Sequence, residues 1–121
     1  MKKIICVLLL LCGTFTLQAQ IDSEVLRKAI GYYQQLKFEE SIVLFDQLVT
    51  DNPEDKSIKG RRGFVIAEYV KAMDEGLVTK LASAEYLAIV KRGIEDLESS
   101  LAFFPKNTAN TESLTYLKSR L

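Results

Sequence analysis

One run of apolar residues constrains this chain more than any other feature. Leu87, Val90, Ile94, Leu97, Leu101 and Phe104 follow one another at steps of three and four residues. That period puts all six on one face of an α-helix, whereas a strand, with its period of two, would scatter them over both faces. The helix is expected to begin near Ser83 and to end before Pro105, because a residue preceding proline is pushed out of the helical region. Similar spacing recurs from Ile21 onward. Val25, Ala29, Tyr32 and Leu36 form one stripe with Leu26, Ile30 and Tyr33 beside it, an apolar face wide enough for more than one neighbour. Asp22 or Ser23 is its expected N-cap. Lys37 sits in a short turn, and Phe38, Ile42, Phe45 and Val49 mark a second helix closed by Asp51-Asn52-Pro53. A third is expected from Ser57, as N-cap, through Phe64, Val65, Tyr69 and Ala72 to about Asp74, with Gly76 as the break. A last helix within residues 110–121, capped at Asn110 or Thr111, carries Leu114 and Leu117. No segment alternates polar and apolar residues over strand length, so the expected fold class is all-α, made of stacked antiparallel helical hairpins.

The chain of 121 residues suffices for one domain. Its start reads as an address. Met1-Lys2-Lys3 is cationic, Ile4 to Leu11 is unbroken apolar sequence, and Leu17-Gln18-Ala19 ends the stretch, the pattern of a secretory signal peptide over residues 1–19. The apolar run falls short of the roughly twenty residues a spanning helix needs. The expected location is the periplasm or the exterior. Two alternatives stay open: an uncleaved N-terminal membrane anchor, or a lipidated Cys12. Without Lys2 and Lys3, fourteen basic residues face sixteen acidic ones, a net charge of −2 over residues 20–121. That balance argues against binding the nucleic-acid backbone. The chain has no His, and its two cysteines are Cys6 and Cys12. Residues 20–121 therefore have no means of building a His- or thiolate-ligated metal site or of running Ser–His or Cys–His catalysis. No enzyme, no cofactor and no metal is expected.

Residues 22–55 resemble one tetratricopeptide repeat, a 34-residue unit of two antiparallel helices. Ala29 fills the small helix-packing place and Tyr32 the large aromatic place. Phe38 opens the second helix, Ser41 supplies its small contact, Phe45 its buried aromatic, and Pro53 closes the unit. Val25, Lys28 and Leu48 depart from the family's usual Trp, Leu and Ala. A second unit follows in phase, with Gly63 in the small place and Ile66 where an aromatic is expected. Counting back from Pro105 puts Gly93 and Leu97 in the matching second-helix places. Residues 56–107 thus read as an elongated second hairpin, its added length in both helices and the Gly76–Lys80 turn.

The resemblance implies a concave groove lined by the first helix of each hairpin. The corresponding residues are Ser23, Leu26, Ile30, Tyr33 and Gln34, then Ser57, Gly60, Phe64, Ala67 and Glu68. Of these, Leu26, Ile30, Tyr33, Gln34, Phe64 and Glu68 are the candidate contacts for a protein or peptide partner, in a non-catalytic interaction module of the bacterial envelope. The alternative is a homo-oligomeric scaffold whose helix faces self-associate. Lys59, Arg61 and Arg62 crowd the start of the third helix with Lys56, a candidate anion contact because helix N-termini expose free N–H groups. Glu39-Glu40, Asp74-Glu75 and Glu95-Asp96-Glu98 are assigned to solvated helix faces.

Overall fold

The computed structural model describes residues 22–121; the expected leader of residues 1–19, with Cys6, Cys12 and the expected cleavage after Ala19, lies outside the described residues. Among the described residues the chain forms five α-helices and no strand: α1 (Ser23–Gln34), α2 (Phe38–Asp51), α3 (Lys56–Asp74), α4 (Ser83–Leu101) and α5 (Thr108–Lys118). Each helix starts where a polar side chain takes up its free N–H groups or acidic residues favour its first turn. Asp22 accepts from the backbone of Glu24 and Val25 at 3.0 and 3.2 Å. Glu39 and Glu40 occupy the first turn of α2, where negative charge complements the helix dipole.

Two caps differ from expectation. Asp55, not Ser57, caps α3, because its carboxylate accepts both the Ser57 N–H at 2.9 Å and the Ser57 hydroxyl at 2.6 Å. Asn107 caps α5 by accepting the Asn110 N–H at 3.0 Å. Asn110 and Thr111 are therefore already inside the helix, which ends at Lys118 rather than running to Leu121.

Helices α1 and α3 end in the same way. Lys37 donates to the Tyr32 carbonyl and Leu36 to that of Tyr33, as Leu77 does to Ala72 and Gly76 to Met73. Both are Schellman turns, which need one residue in the left-handed region. At α3 that residue is Gly76, φ 78°; at α1 it is Leu36, φ 64°.

The helices pair in chain order as hairpins α1–α2 and α3–α4, α2 joins the hairpins by packing on α3, and α5 lies against both α3 and α4. Small residues set the close approaches. In the first hairpin, Ser41 Oγ donates to the Ala29 carbonyl at 2.7 Å, and both residues are fully buried. In the second, Gly63 sits opposite Leu97, and Gly93 lies under Ile66 from α3 and Leu117 from α5. A Cβ at Gly63 would stand 2.7 Å from Leu97 Cγ, and one at Gly93 2.7 Å from Ile66 Cγ2. Glycine faces a large side chain in both directions, so α3 and α4 have a single low-strain register.

That seam corrects the reading of α4. Its buried face runs through Val90, Gly93, Asp96, Leu97 and Ser100, while Leu87 and Phe104 are exposed and Ile94 and Leu101 half-buried. Contact this close demands small residues beside Val90 and Leu97, which stay buried, and leaves the other members of the stripe at the flanks.

Two polar clusters bind the layers. Asp96, expected on a solvated face, is only 4% exposed and receives Arg62 in a two-pronged pair, Nε to Oδ2 at 2.7 Å and an amino nitrogen to Oδ1 at 2.8 Å. Arg62 also reaches Asp46 of α2 at 3.0 Å, and Arg92 of α4 meets the same carboxylate. Hydrogen bonding to Asp96, working against burial, raises the Arg62 pKa above its ordinary value. At the other end of α3, Asp74 accepts the phenol of Tyr86 at 2.7 Å and that of Tyr116, with Arg120 and Lys80 nearby. Burial alone would raise the Asp74 pKa, but the two phenols and two cations together hold it below the usual carboxylate range.

Candidate functional site

Ser57, Arg61, Phe64 and Glu68 of α3, with Glu75 just past its end, recur at near-helical intervals and line open surface. The central part of this surface is a groove of about 680 Å³. Ile30 and Tyr33 of α1 form one wall. Phe64 and Arg61 line it from α3, and Phe104, Asn107 and Asn110 stand on the far side. The last helix therefore borders the groove at its N-terminal turn and leaves it open.

Tyr33 packs against two other rings. Its ring meets Phe64 and Phe38 edge-on, each with centroids 6.0 Å apart, and Phe38 stacks on Tyr69 at 5.2 Å. Phe38 and Tyr69 are core residues, so a continuous file of rings anchors the groove aromatics to the interior. Burial, then the Glu68 charge, raises the Tyr33 phenol pKa above its ordinary value. Burial and then Glu39, which accepts the Tyr69 phenol at 3.1 Å, push Tyr69 up to about 12.

The sequence-predicted residues separate into groups. Ile30, Tyr33 and Phe64 meet in the groove, as does Arg61. Gln34 and Glu68 line an adjoining hollow of about 310 Å³, with Tyr33 shared between the two. Leu26 lines neither and packs half-buried against the core. Gly60 and Ala67, placed on the same face by the repeat register, are buried: Gly60 lies beneath Ser100 and Asn110, and Ala67 belongs to the core.

The anion cluster does not hold together. Arg62 points the other way, and its guanidinium is taken up by Asp96 and Asp46. Lys56 places its ammonium over the Phe103 ring, 5.7 Å from the centroid. Lys59 lines neither the groove nor the hollow around Phe103. Arg61 alone of the predicted trio faces the groove.

Phe103 and Phe104 were missed as surface residues. They are 64% and 47% exposed, and Phe104 lines both the groove and a further hollow of about 430 Å³ over the α2–α3 turn. A signal was present: Phe103-Phe104-Pro105 follows the end of a helix, and consecutive residues there cannot all face one core.

The groove lining contains aromatic and aliphatic surface, one guanidinium, hydroxyls and amides, and no carboxylate. Among the described residues no cluster of three or more His, Cys, Asp or Glu is placed to hold a metal ion, and no helix is long and apolar enough to cross a membrane. Compared with known proteins, the chain matches no family model, no curated protein and no solved structure.

Proposed function

We propose that this protein is a non-catalytic docking module of the bacterial cell envelope, related to the tetratricopeptide repeats, that binds a peptide or helix of a partner protein on its concave face. One observation carries the reading: the open groove of about 680 Å³ in which Ile30, Tyr33 and Phe64 are brought together with Arg61 at the side. Pre-positioned aromatics contribute large contact area with little entropy left to lose on binding. The cationic, then apolar, leader supports export to the periplasm or the exterior. The repeat relationship is supported by Ala29 and Ser41 at one hairpin seam and by Gly63 and Gly93 at the other.

The test is capture of the native partner from envelope fractions by the wild type and by a Tyr33→Ser, Phe64→Ser double variant. The variant should lose capture by at least about tenfold, the scale of an interface hot spot, while keeping its helical circular dichroism. Retained capture would place the docking surface elsewhere. The same native preparation should give an intact mass beginning at Gln20, and a mature chain starting at a lipidated Cys12 would overturn the soluble location. A second reading, a homodimeric scaffold, is favoured by the exposed Phe103–Phe104 pair. Mass in dilute and concentrated solution separates the two.

A further inference from the structure

Three hollows line up along α3. The α2–α3 turn hollow includes Lys56, the central groove Ser57, Arg61 and Phe64, and the third Glu68, Lys71 and Glu75. Phe104 borders the first and second, and Tyr33 the second and third. They adjoin at these two rings and together make up a trough along α3, whose 19 residues span about 28 Å at 1.5 Å per residue.

The elements around the central groove are helices and the turn before α5, so the groove presents no strand edge. An extended peptide lying there would find no ladder to satisfy its backbone groups, whereas a helix satisfies its own. Both ends carry carboxylates, Glu68 and Glu75 at one and the α2–α3 turn at the other, but Glu68 is paired with Lys71. At the α2–α3 turn, Asp51 and Glu54 are exposed and join no ion pair among the described residues. Their neighbour Asp55 is occupied in capping α3, and Lys56 is held over Phe103. Beyond Phe104 the acidic turn gives way to the apolar groove.

Resting on the docking reading above, we infer that the partner is an amphipathic helix whose apolar stripe lies along α3 over Phe64 and Phe104, and whose end over the α2–α3 turn carries Lys or Arg to meet Asp51 and Glu54.

Two synthetic amphipathic peptides with one shared apolar stripe, one ending in Lys residues and the other in Glu residues, test this by fluorescence anisotropy against the full mature chain. The Lys-ended peptide should bind about tenfold more tightly, and added salt should erode that preference. Asp51→Lys with Glu54→Lys should invert it. These positions are exposed and Asp51 ends α2, where a cation suits the helix dipole, so the fold should be unaffected. Phe104→Ser should weaken both peptides alike. Equal binding of the two peptides, or a preference untouched by the charge reversal, would overturn the inference and leave the docking reading standing. Failure of both peptides to bind would overturn both. A concentration-dependent doubling of mass that blocks peptide binding would overturn the inference by giving the trough to a second copy of the chain.

Discussion

The two hairpins solve the same packing problem with different materials. In α1–α2 the seam is closed by Ala29 and by Ser41, whose hydroxyl bonds across it, and aromatic rings fill the end near the turn. In α3–α4 it is closed by glycines set against Leu97 and Ile66, and ion clusters are added at both ends of α3. The lengths differ as well: α1 has 12 residues and α3 has 19. The shorter helix walls two of the three hollows along α3 and takes no part in the one at the α2–α3 turn. The long hairpin is thus a register-locked platform, and the short one a wall built on it.

The largest expected effect breaks the short hairpin. Phe45 is about 1% exposed in α2 and also borders the groove. Phe45→Ala should cost roughly 3–5 kcal/mol in chemical denaturation. A single transition is expected, and two separate transitions would show that wall and platform fold independently.

Next comes the tie between them. Asp96→Ala leaves the Arg62 cation with only the Asp46 carboxylate, and should cost about 3 kcal/mol, the lower part of the range for breaking a buried pair. Asp46→Ala removes a far more exposed carboxylate and should cost about 1 kcal/mol or less. Equal losses would mean that the link to α2, rather than the lock within the platform, dominates.

The glycine seam should respond on the next scale down. Gly63→Leu drives a side chain into Leu97 and Asp96 and should destabilise by roughly 1–3 kcal/mol. A variant as stable as the parent would remove the argument for a single α3–α4 register.

Acid should act on the platform through Asp74. Its pKa is lowered in the fold, so its stabilising contribution is complete above the ordinary Asp value of about 3.9 and is lost as pH falls through the folded value. Asp74→Asn should flatten the acid branch of a stability–pH curve. Tyr116 acts in the opposite sense: burial and then Asp74 raise it to about 12, so its contribution is complete below about pH 10 and is lost as pH climbs through 12. Tyr116→Phe should flatten the alkaline branch.

How much of this was legible follows from what each residue answers to. Helix existence, the Lys37 turn and the Gly76 break were readable, because apolar period and turn residues are local signals. The burial of Asp96 and the occupation of Arg62 were not. Each looks like a surface charge until its partner is known, and the pair is 34 residues apart in sequence. The groove was half readable. Tyr33 and Phe64 came from the repeat resemblance, whereas Phe104 lies past the end of α4 at Leu101, in the turn before Pro105, where the helical stripe no longer dictates which way a side chain faces. Leu26, one turn before Ile30, fell outside because the groove lies toward the C-terminal end of α1.

The smallest effects sharpen the comparison best, because they should have opposite signs from nearly identical substitutions. Gly31 in α1 has nothing within 4 Å of where a Cβ would go, whereas Gly63 in α3 has Leu97 and Asp96 at 2.7 and 3.0 Å. Alanine is favoured over glycine inside a helix by about 0.5–1 kcal/mol. Gly31→Ala should therefore stabilise by that amount, while at Gly63 the clash should outweigh the same gain and leave a net loss. The α1 turn offers a matching case. Leu36 holds the left-handed position that Gly76 holds after α3, and a side chain there costs about 1 kcal/mol or slightly more. Leu36→Gly should recover part of that, less the contact of a side chain that is 46% exposed. Thermal or denaturant midpoints of Gly31→Ala, Gly63→Ala and Leu36→Gly would read all three. If Gly31→Ala destabilises, α1 packs more closely along its outer face than its open surroundings show, and the contrast with Gly63 fails. If Gly63→Ala stabilises, Leu97 can yield, and the platform is not locked by its glycines.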